Sequence, residues 1–349
     1  MPQFHPDKMN DKFWGRGFTD WVTTRKAQPI YSGHAQPFLP SKLGYYDLRD
    51  NNVLTKQVEL ANKFGLEGFG FYHYVFDSSS SALSIPINNF YNNRSLDLNY
   101  FLCWVNEDWK KSWVGDDKTT LYKQCYSNKT IIHLANNFSK YFGDNRYFQI
   151  NGKPVLYIHK PKNLEIVRFL DIFTNQIHKN GYDEICFIAP EVNILPNQDK
   201  YFDFLLGYPP GDFTYSLFKT QQIYRKLLDT FLGNIINNPF LFRFLSTFSY
   251  KKYSIDYTNL VCKKLNSSRF IGTVLTGWDN TPRYGYKGYL FRDFNVFDFK
   301  NHLTRIFNKS LEKQKDFMMV KAWNEWAEGN VLEPSIKYDY EILKCFSSL

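Results

Sequence analysis

Near the C-terminus the chain reads KAWNEWAEGN, Lys321 to Asn330, with Glu325 and Glu328 three residues apart and Trp323 and Trp326 on either side of the first. Two carboxylates in one turn are what acid–base chemistry at a glycosidic bond requires. One acid protonates the leaving oxygen, and the other works in its ionised form. Indole rings beside them exclude water and disfavour charge, which would keep one of the two acids protonated as a donor. The alternative for the same residues is an ion-pair network, in which Lys or Arg holds both acids for architecture alone.

Comparable clusters recur along the chain. GLEGFGFYHYVF (65–76) carries Tyr72 and His73, and YFLCWVNEDW (100–109) carries Trp104, Asn106, Glu107 and Trp109. EICFIAPE (184–191) ends in Glu191, and FDFLLGYP (202–209) holds Tyr208. FIGTVLTGWDN (270–280) holds Trp278 and Asp279, with Arg283 just beyond, and the C-terminal motif adds Trp323, Asn324 and Trp326. Flat rings stack on sugar faces while carboxylates and amides bind hydroxyls, so these residues together point to a carbohydrate pocket. They are the expected substrate-binding set, and Glu325 and Glu328 the expected catalytic pair. Arg283 would hold Asp279 as a counter-charge or bind an anionic group of the ligand.

The elements that must position these groups follow from the runs that carry them. Those five stretches, with KPVLYIHK (153–160) and FMMVKAWNEW (317–326), are near-continuous apolar runs of strand length, which read as strands buried on both faces of a parallel sheet. Between them, Val53 to Phe64, Thr130 to Phe142, Leu164 to His178 and Val296 to Phe307 show helical apolar spacing. Alternating strand and helix predicts βαβ units, and seven strands plus a partial first one at MPQFHP predict a (β/α)8 barrel with a truncated first strand. The expected organisation is one catalytic domain over 1–349, with insertions at about 7–50 and 213–269. In such a barrel the C-terminal strand ends carry the active site, which is where every cluster lies.

Composition narrows the partners. The chain holds 33 Phe, 25 Tyr and 8 Trp, most of which packing accounts for. Its net charge of +9 comes from scattered residues without a basic arm, so nucleic acid is not expected. An oligosaccharide or lipid-linked glycan is the expected substrate, and peripheral contact with an anionic membrane suits the charge. The apolar stretch 224–253, flanked by basic residues, is the candidate for that contact, with a helical pair covering the barrel as the other reading. The five cysteines form no paired motif and fit a reducing compartment; with no apolar leader expected, the location reads as cytoplasmic. No Asp-x-Asp motif, no Gly-rich phosphate turn and no histidine pair at ligand spacing is present, so no cofactor and no metal are expected.

WNEWAEGNVLEP (323–334) resembles the signature of the WbsX family, proteins encoded with bacterial surface-polysaccharide genes and commonly labelled glycosyltransferases. PQFHP (2–6), WGRGFTDW (14–21), HAQPFLP (34–40), LGYYDLRD (43–50), CWVNEDW (103–109), GKPVLYIHKP (152–161) and GWDNTPR (277–283) extend the resemblance over nearly the whole chain. That family is in turn similar to glycoside hydrolase family 99, endo-acting α-mannosidases on a (β/α)8 barrel. The resemblance implies that Glu325 acts on the sugar 2-hydroxyl and Glu328 is the general acid and base, with a 1,2-anhydro sugar between two steps. It implies a carbohydrate-active enzyme making or breaking glycosidic bonds in surface polysaccharide, by transfer or by retaining hydrolysis. A catalytically inactive carbohydrate-binding or scaffold protein of an assembly complex is the alternative.

Overall fold

The computed structural model describes residues 3–111, 116–212, 223 and 237–349. Most of the insertion expected at 213–269 up to residue 236, and with it much of the apolar stretch 224–253, lies outside the described residues. In chain order, helices α1 (Asp20–Lys26) and α2 (Asn51–Lys63) precede strands β1 (Gly68–Val75) and β2 (Asn99–Trp104). Helix α3 (Asn128–Phe142), strand β3 (Lys153–Ile158), helix α4 (Ile166–Lys179) and strands β4 (Cys186–Pro190) and β5 (Phe204–Leu206) follow. Then come α5 (Pro239–Leu245), α6 (Tyr250–Lys264), β6 (Phe270–Ile271), β7 (Thr273–Leu275), α7 (Thr281–Tyr284), α8 (Val296–Glu312), β8 (Met319–Lys321), β9 (Asn324–Glu325) and β10 (Asn330–Val331). Each of the seven predicted runs holds a strand. The start does not: Phe4 and His5 form a bend, and a helix begins at Lys8, where the Asp7 carboxylate accepts the Met9 N–H at 2.8 Å.

The chain divides into two compact units. The first comprises Met1–Thr19, Tyr46–Lys110 and Lys118–Leu206. Its strands β1 to β5 lie side by side in sequence order, all parallel, with Gly68 opposite Asn99, Leu102 opposite Leu156, Val155 opposite Cys186 and Ile188 opposite Phe204. β4 is buried along its whole length and β2 and β3 along all but their first residues, as continuous apolar runs require. Helices α3 and α4 cover this sheet because their apolar residues repeat at three- and four-residue spacing. Ile131, Leu134, Ala135 and Phe138 are buried on one, and Ile166, Phe169, Phe173 and Ile177 on the other. Ser127 caps α3 by accepting the Thr130 N–H at 3.2 Å.

A buried arginine ties the edge of this unit together. Arg146 is 7% exposed and donates to the carbonyls of Phe90, Tyr91, Asn93 and Leu96 and to the carboxylate of Asp144. Burial works to raise the Asp144 carboxyl, but the hydrogen bonds from Arg146 outweigh it and hold the group below the ordinary carboxylate range.

The second unit comprises Asp20–Tyr45, Lys111–Asp117 and Gly207–Leu349. Its parallel pair β7–β8 sets Thr273 opposite Met319 and Leu275 opposite Lys321. The predicted run 270–280 is broken at Gly272, where a Cβ would come within 2.9 Å of Ile306 on α8 and 3.3 Å of Val261 on α6. Only glycine lets the two helices approach the strand so closely. They are joined by a 2.7 Å hydrogen bond between Thr258 Oγ1 and His302 Nδ1.

Arg146→Met should lower stability by about 3–5 kcal/mol, since it leaves the buried Asp144 carboxylate and four carbonyls short of donors. Urea denaturation checks this, and a loss below about 1 kcal/mol would contradict it.

Candidate active site

The C-terminal motif folds as a tight antiparallel hairpin in the second unit. Asn324 pairs with Val331 and Glu325 with Asn330, and Trp326–Glu328 form one 3-10 turn between them. Glu325 ends β9 and Glu328 ends the turn, and both side chains reach the same guanidinium. Gly329 closes the turn at φ 59°, in the left-handed region, and a Cβ there would sit 3.1 Å from that of Asp279. Trp326 anchors the turn from below. Its indole is fully buried between the rings of Trp21 (5.7 Å) and Phe38 (5.5 Å), and its Nε1–H donates to the buried Glu333 carboxylate at 2.8 Å.

Both glutamates meet Arg283. Its Nη1 donates to Glu328 at 2.7 Å, and its Nη2 to Glu325 at 3.2 Å and to Asp20, on α1, at 2.6 Å. The guanidinium side chain is 9% exposed, Asp20 is fully buried and the Glu325 side chain is 6% exposed, whereas that of Glu328 is 17% exposed. Three carboxylates therefore share one guanidinium. A second cation, Lys321 at the end of β8, lies with its Nζ 4.1 Å from the ring centre of Tyr208 and 5.1 Å from that of Trp278.

Asp279 fixes the arginine in place. Its Oδ1 accepts the N–H and hydroxyl of Thr281 at 3.0 and 2.6 Å, which sets the first turn of α7, the helix carrying Arg283. Its Oδ2 accepts from Gln36 Nε2 at 2.7 Å and lies 2.8 Å from His34 Nε2. His34 Nδ1 accepts the Ile30 N–H, so the imidazole proton sits on Nε2 and points at Asp279. The Asp279 N–H donates to the Glu328 carbonyl at 2.6 Å and thereby joins the hairpin turn to the start of α7.

Electrostatics follow from this crowding. Burial pushes the Glu325 carboxyl up to about 7, the charge of Glu328 adds to the rise, and Arg283 opposes it. Burial works to lower the Lys321 amine, but Tyr208, Glu328 and Glu325 together raise it above its ordinary value, so it stays charged. Two carboxyl groups on one guanidinium, one of them poised near neutrality, form an arrangement able to accept and donate protons at neutral pH.

Of the sequence-predicted residues, the second unit brings together Tyr208, Trp278, Asp279, Arg283, Glu325 and Glu328. Asn324 is buried in β9, Trp323 flanks the hairpin half-exposed, and Trp326 lies in the core. In the first unit, Asn106 and Glu107 follow β2. Asn106 donates from Nδ2 to the Lys160 carbonyl at 2.8 Å and accepts the Lys160 N–H at 2.6 Å. Glu107 ion-pairs with Lys160 Nζ and lies 3.8 Å from His159 Nε2, against whose ring Tyr72 packs at 5.9 Å. Glu191 opens a short 3-10 turn after β4 and is half-exposed.

Beside Asn106, Asn324 and Trp326, which are buried, three more of these residues, His73, Trp104 and Trp109, do not face outward as expected. Alternate residues of a strand point to opposite faces, so adjacent Tyr72 and His73 cannot line one pocket. His73 is 3% exposed, packs on Phe138 and Tyr141 of α3, and sits 3.3 Å from Asn137. Trp104 is fully buried and stacks on Phe169 of α4 at 5.3 Å, and Trp109 stacks between Tyr74 and Phe76 at 5.6 Å from each. Sequence reasoning passed over Asp20, His34, Gln36 and Lys321. The first three stand in WGRGFTDW and HAQPFLP, so the signal was present without a role attached. A single lysine opening KAWNEW carries none.

The family match over nearly the whole chain, together with the fold, points to a protein of the carbohydrate-active class. The whole described architecture is similar to that of solved glycoside hydrolases. The GH99 endo-alpha-mannosidase of Bacteroides thetaiotaomicron bound to bis-tris-propane matches 89% of this chain and 86% of its own, at 13% identity and a TM-score of 0.56. A second structure of that enzyme matches 97% of this chain and 93% of its own, at 14% identity and a TM-score of 0.53. A glycoside hydrolase-like protein matches 89% and 88%, at 14% identity and a TM-score of 0.56. Residues 1–346 match the family described as glycosyltransferase WbsX, and the chain belongs to that family. WxcX of Xanthomonas campestris pv. campestris, described as uncharacterized, is 31% identical over 345 residues, covering 97% of this chain and 47% of its own length. The chain thus spans about half the length of that curated relative.

Since the native Glu325 carboxyl titrates near 7 and its ordinary value is 4.5, the folded state holds this proton more tightly than the unfolded one. Stability from this group is therefore lost as pH rises from about 4.5 to about 7 and is flat above. Glu325→Gln removes that dependence, so the variant should gain on the wild type by about 3 kcal/mol across the window. Urea denaturation at both ends of the window reads the difference. A gap between the two proteins that does not change with pH would contradict the assignment.

Proposed function

We propose that this chain makes or breaks glycosidic bonds in a bacterial surface polysaccharide or its lipid-linked precursor, with Glu325 and Glu328 as the acting carboxylates on a (β/α)8 scaffold. The observation that carries the reading is the single guanidinium shared by both glutamates, one buried and raised to about 7 and the other partly open.

In the proposed first step, ionised Glu325 takes the proton of the sugar 2-hydroxyl. The 2-oxygen attacks the anomeric carbon as its bond to the leaving oxygen breaks, and Glu328 gives that oxygen its proton. A 1,2-anhydro sugar results. In the second step Glu328 takes the proton of an incoming hydroxyl, which opens the anhydro ring at the anomeric carbon, and Glu325 returns its proton to the 2-oxygen. Water as the incoming group makes the reaction a hydrolysis, and a sugar hydroxyl makes it a transfer. Arg283 supports the ionised form of Glu325 when the proton leaves, and a base titrating near neutrality suits both halves of the cycle. Tyr208, Trp278 and Trp323 in the second unit, and Tyr72, Glu107 and Glu191 in the first, are proposed to hold sugar. His73, Trp104, Asn106, Trp109, Asn324 and Trp326 are proposed to support such contacts from the interior.

A second reading is favoured by one observation, that Arg283 ion-pairs with Asp20 and both glutamates. A closed ionic network could serve a protein that binds glycan without turning it over. Incubation with the host's polysaccharide and lipid-linked intermediates, followed by mass spectrometry, separates the two: cleavage or extension supports catalysis, and unchanged glycans support binding alone.

With an active glycan in hand, Glu325→Gln and Glu328→Gln should each lose about 10²–10⁴-fold in turnover while keeping the wild-type melting behaviour within a few degrees. On an aryl glycoside, whose leaving group needs little protonation, Glu328→Gln should recover most of the first step and Glu325→Gln should not. Near-normal turnover in both variants, or loss only through unfolding, would leave the motif as architecture.

A further inference from the structure

Helix α5, Pro239–Leu245, has an outer face that the proposed reaction does not use. Phe240 is 77% exposed and Phe244 is 70% exposed. They are four residues apart, so both project from the same side of the helix. Single exposed apolar residues are ordinary on a protein surface, but a pair of phenylalanines on one rigid face marks a contact surface.

The helix is fixed at both ends. Asn238 caps it by accepting the N–H groups of Phe240 and Leu241 at 2.9 and 3.2 Å, Pro239 opens it, and the Thr247 hydroxyl donates to the Arg243 carbonyl at 2.6 Å. Phe242 on the inner face is 1% exposed and meets the rings of Tyr286 and Tyr31 at 5.8 and 6.3 Å. Tyr31 stacks on His34 at 5.2 Å, and His34 is the residue that holds Asp279. The exposed phenylalanines therefore stand on an element packed against the support of the acid–arginine site.

Charge decides what the face meets. Arg243, Lys251 and Lys252 are all exposed on α5 and the first turn of α6, and Arg292 is exposed beside them, against Asp256, bound to Lys252 at 2.8 Å, and Asp293. Arg243 keeps its guanidinium 5.6 Å from the Tyr31 ring. Exposed aromatic side chains on a helix that also exposes Arg243, next to a turn carrying two exposed lysines, suit the headgroup boundary of an anionic bilayer, which offers apolar depth below and phosphates above. No helix among the described residues is long and apolar enough to cross a membrane, so the contact is one of lying on the surface.

We propose that α5 docks this protein on an anionic membrane, with Phe240 and Phe244 entering the headgroup boundary and Arg243 and Lys251 meeting lipid phosphates. The docking stands separately from the proposed reaction. The test is co-sedimentation of the full chain with vesicles of phosphatidylcholine alone and of equal parts phosphatidylcholine and phosphatidylglycerol. The wild type should partition onto the anionic vesicles, and Phe240→Ser with Phe244→Ser should weaken this by about tenfold or more. Lys251→Glu should weaken binding to anionic vesicles only. Both substituted phenylalanines lie outside the core, so the melting curve and turnover on a soluble glycan should not change, which keeps this test apart from that of the reaction. Wild-type protein left in the supernatant with both vesicles would overturn the proposal. So would equal binding by the double serine variant. A phenylalanine-dependent dimer in sedimentation velocity, showing that a second copy covers the face, would also overturn it.

Discussion

Three carboxylates bound to one buried guanidinium is the constraint on which the second unit's site depends. Asp20, Glu325 and Glu328 reach Arg283 from a helix and a hairpin turn far apart in sequence. Burial of Glu325, with the charge of Glu328 adding to it, outweighs Arg283, so this glutamate holds its proton up to about neutrality. The same crowding makes the site costly to build. Its persistence rests on the precision with which the surrounding backbone delivers each group.

That delivery is the work of small elements. β9 and the 3-10 turn after it carry Glu325 and Glu328, Gly329 permits the left-handed closure, and Trp326 fills the space beneath. Asp279 couples the turn to α7 through its backbone N–H and its carboxylate together, and His34 and Gln36 hold Asp279 in turn. Each of these groups acts on the glutamates through another residue. A change at His34 or Gln36 would therefore be felt at Arg283 without any contact to a ligand.

Much of this was legible in the sequence, and the failures have physical causes. The seven apolar runs gave strands because a strand buried on both faces must be apolar throughout, and the helices declared themselves by spacing. The hairpin, by contrast, was read as a strand running into a turn, since two residues of β9 and two of β10 are too short to leave a period. His73 and Trp104 were assigned to a pocket by their place near a strand end, but strand alternation turned them toward α3 and α4. Arg283 is expected from sequence to hold Asp279 or to bind an anionic group of the ligand, yet Asp279 is taken by Thr281, Gln36 and His34, and the arginine turns to the glutamates instead. Long-range partners such as Asp20, separated from Arg283 by most of the chain, leave no local trace in composition or spacing.

The central claim is that burial beside Glu328 keeps Glu325 partly protonated at neutral pH despite Arg283. Infrared difference spectroscopy between the wild type and Glu325→Gln, followed across pH, observes the protonated carboxyl of that one residue directly. The account predicts a carbonyl band that survives into the neutral range and is half lost near a pH of about 7. A band already half lost near the ordinary value of 4.5 would contradict it.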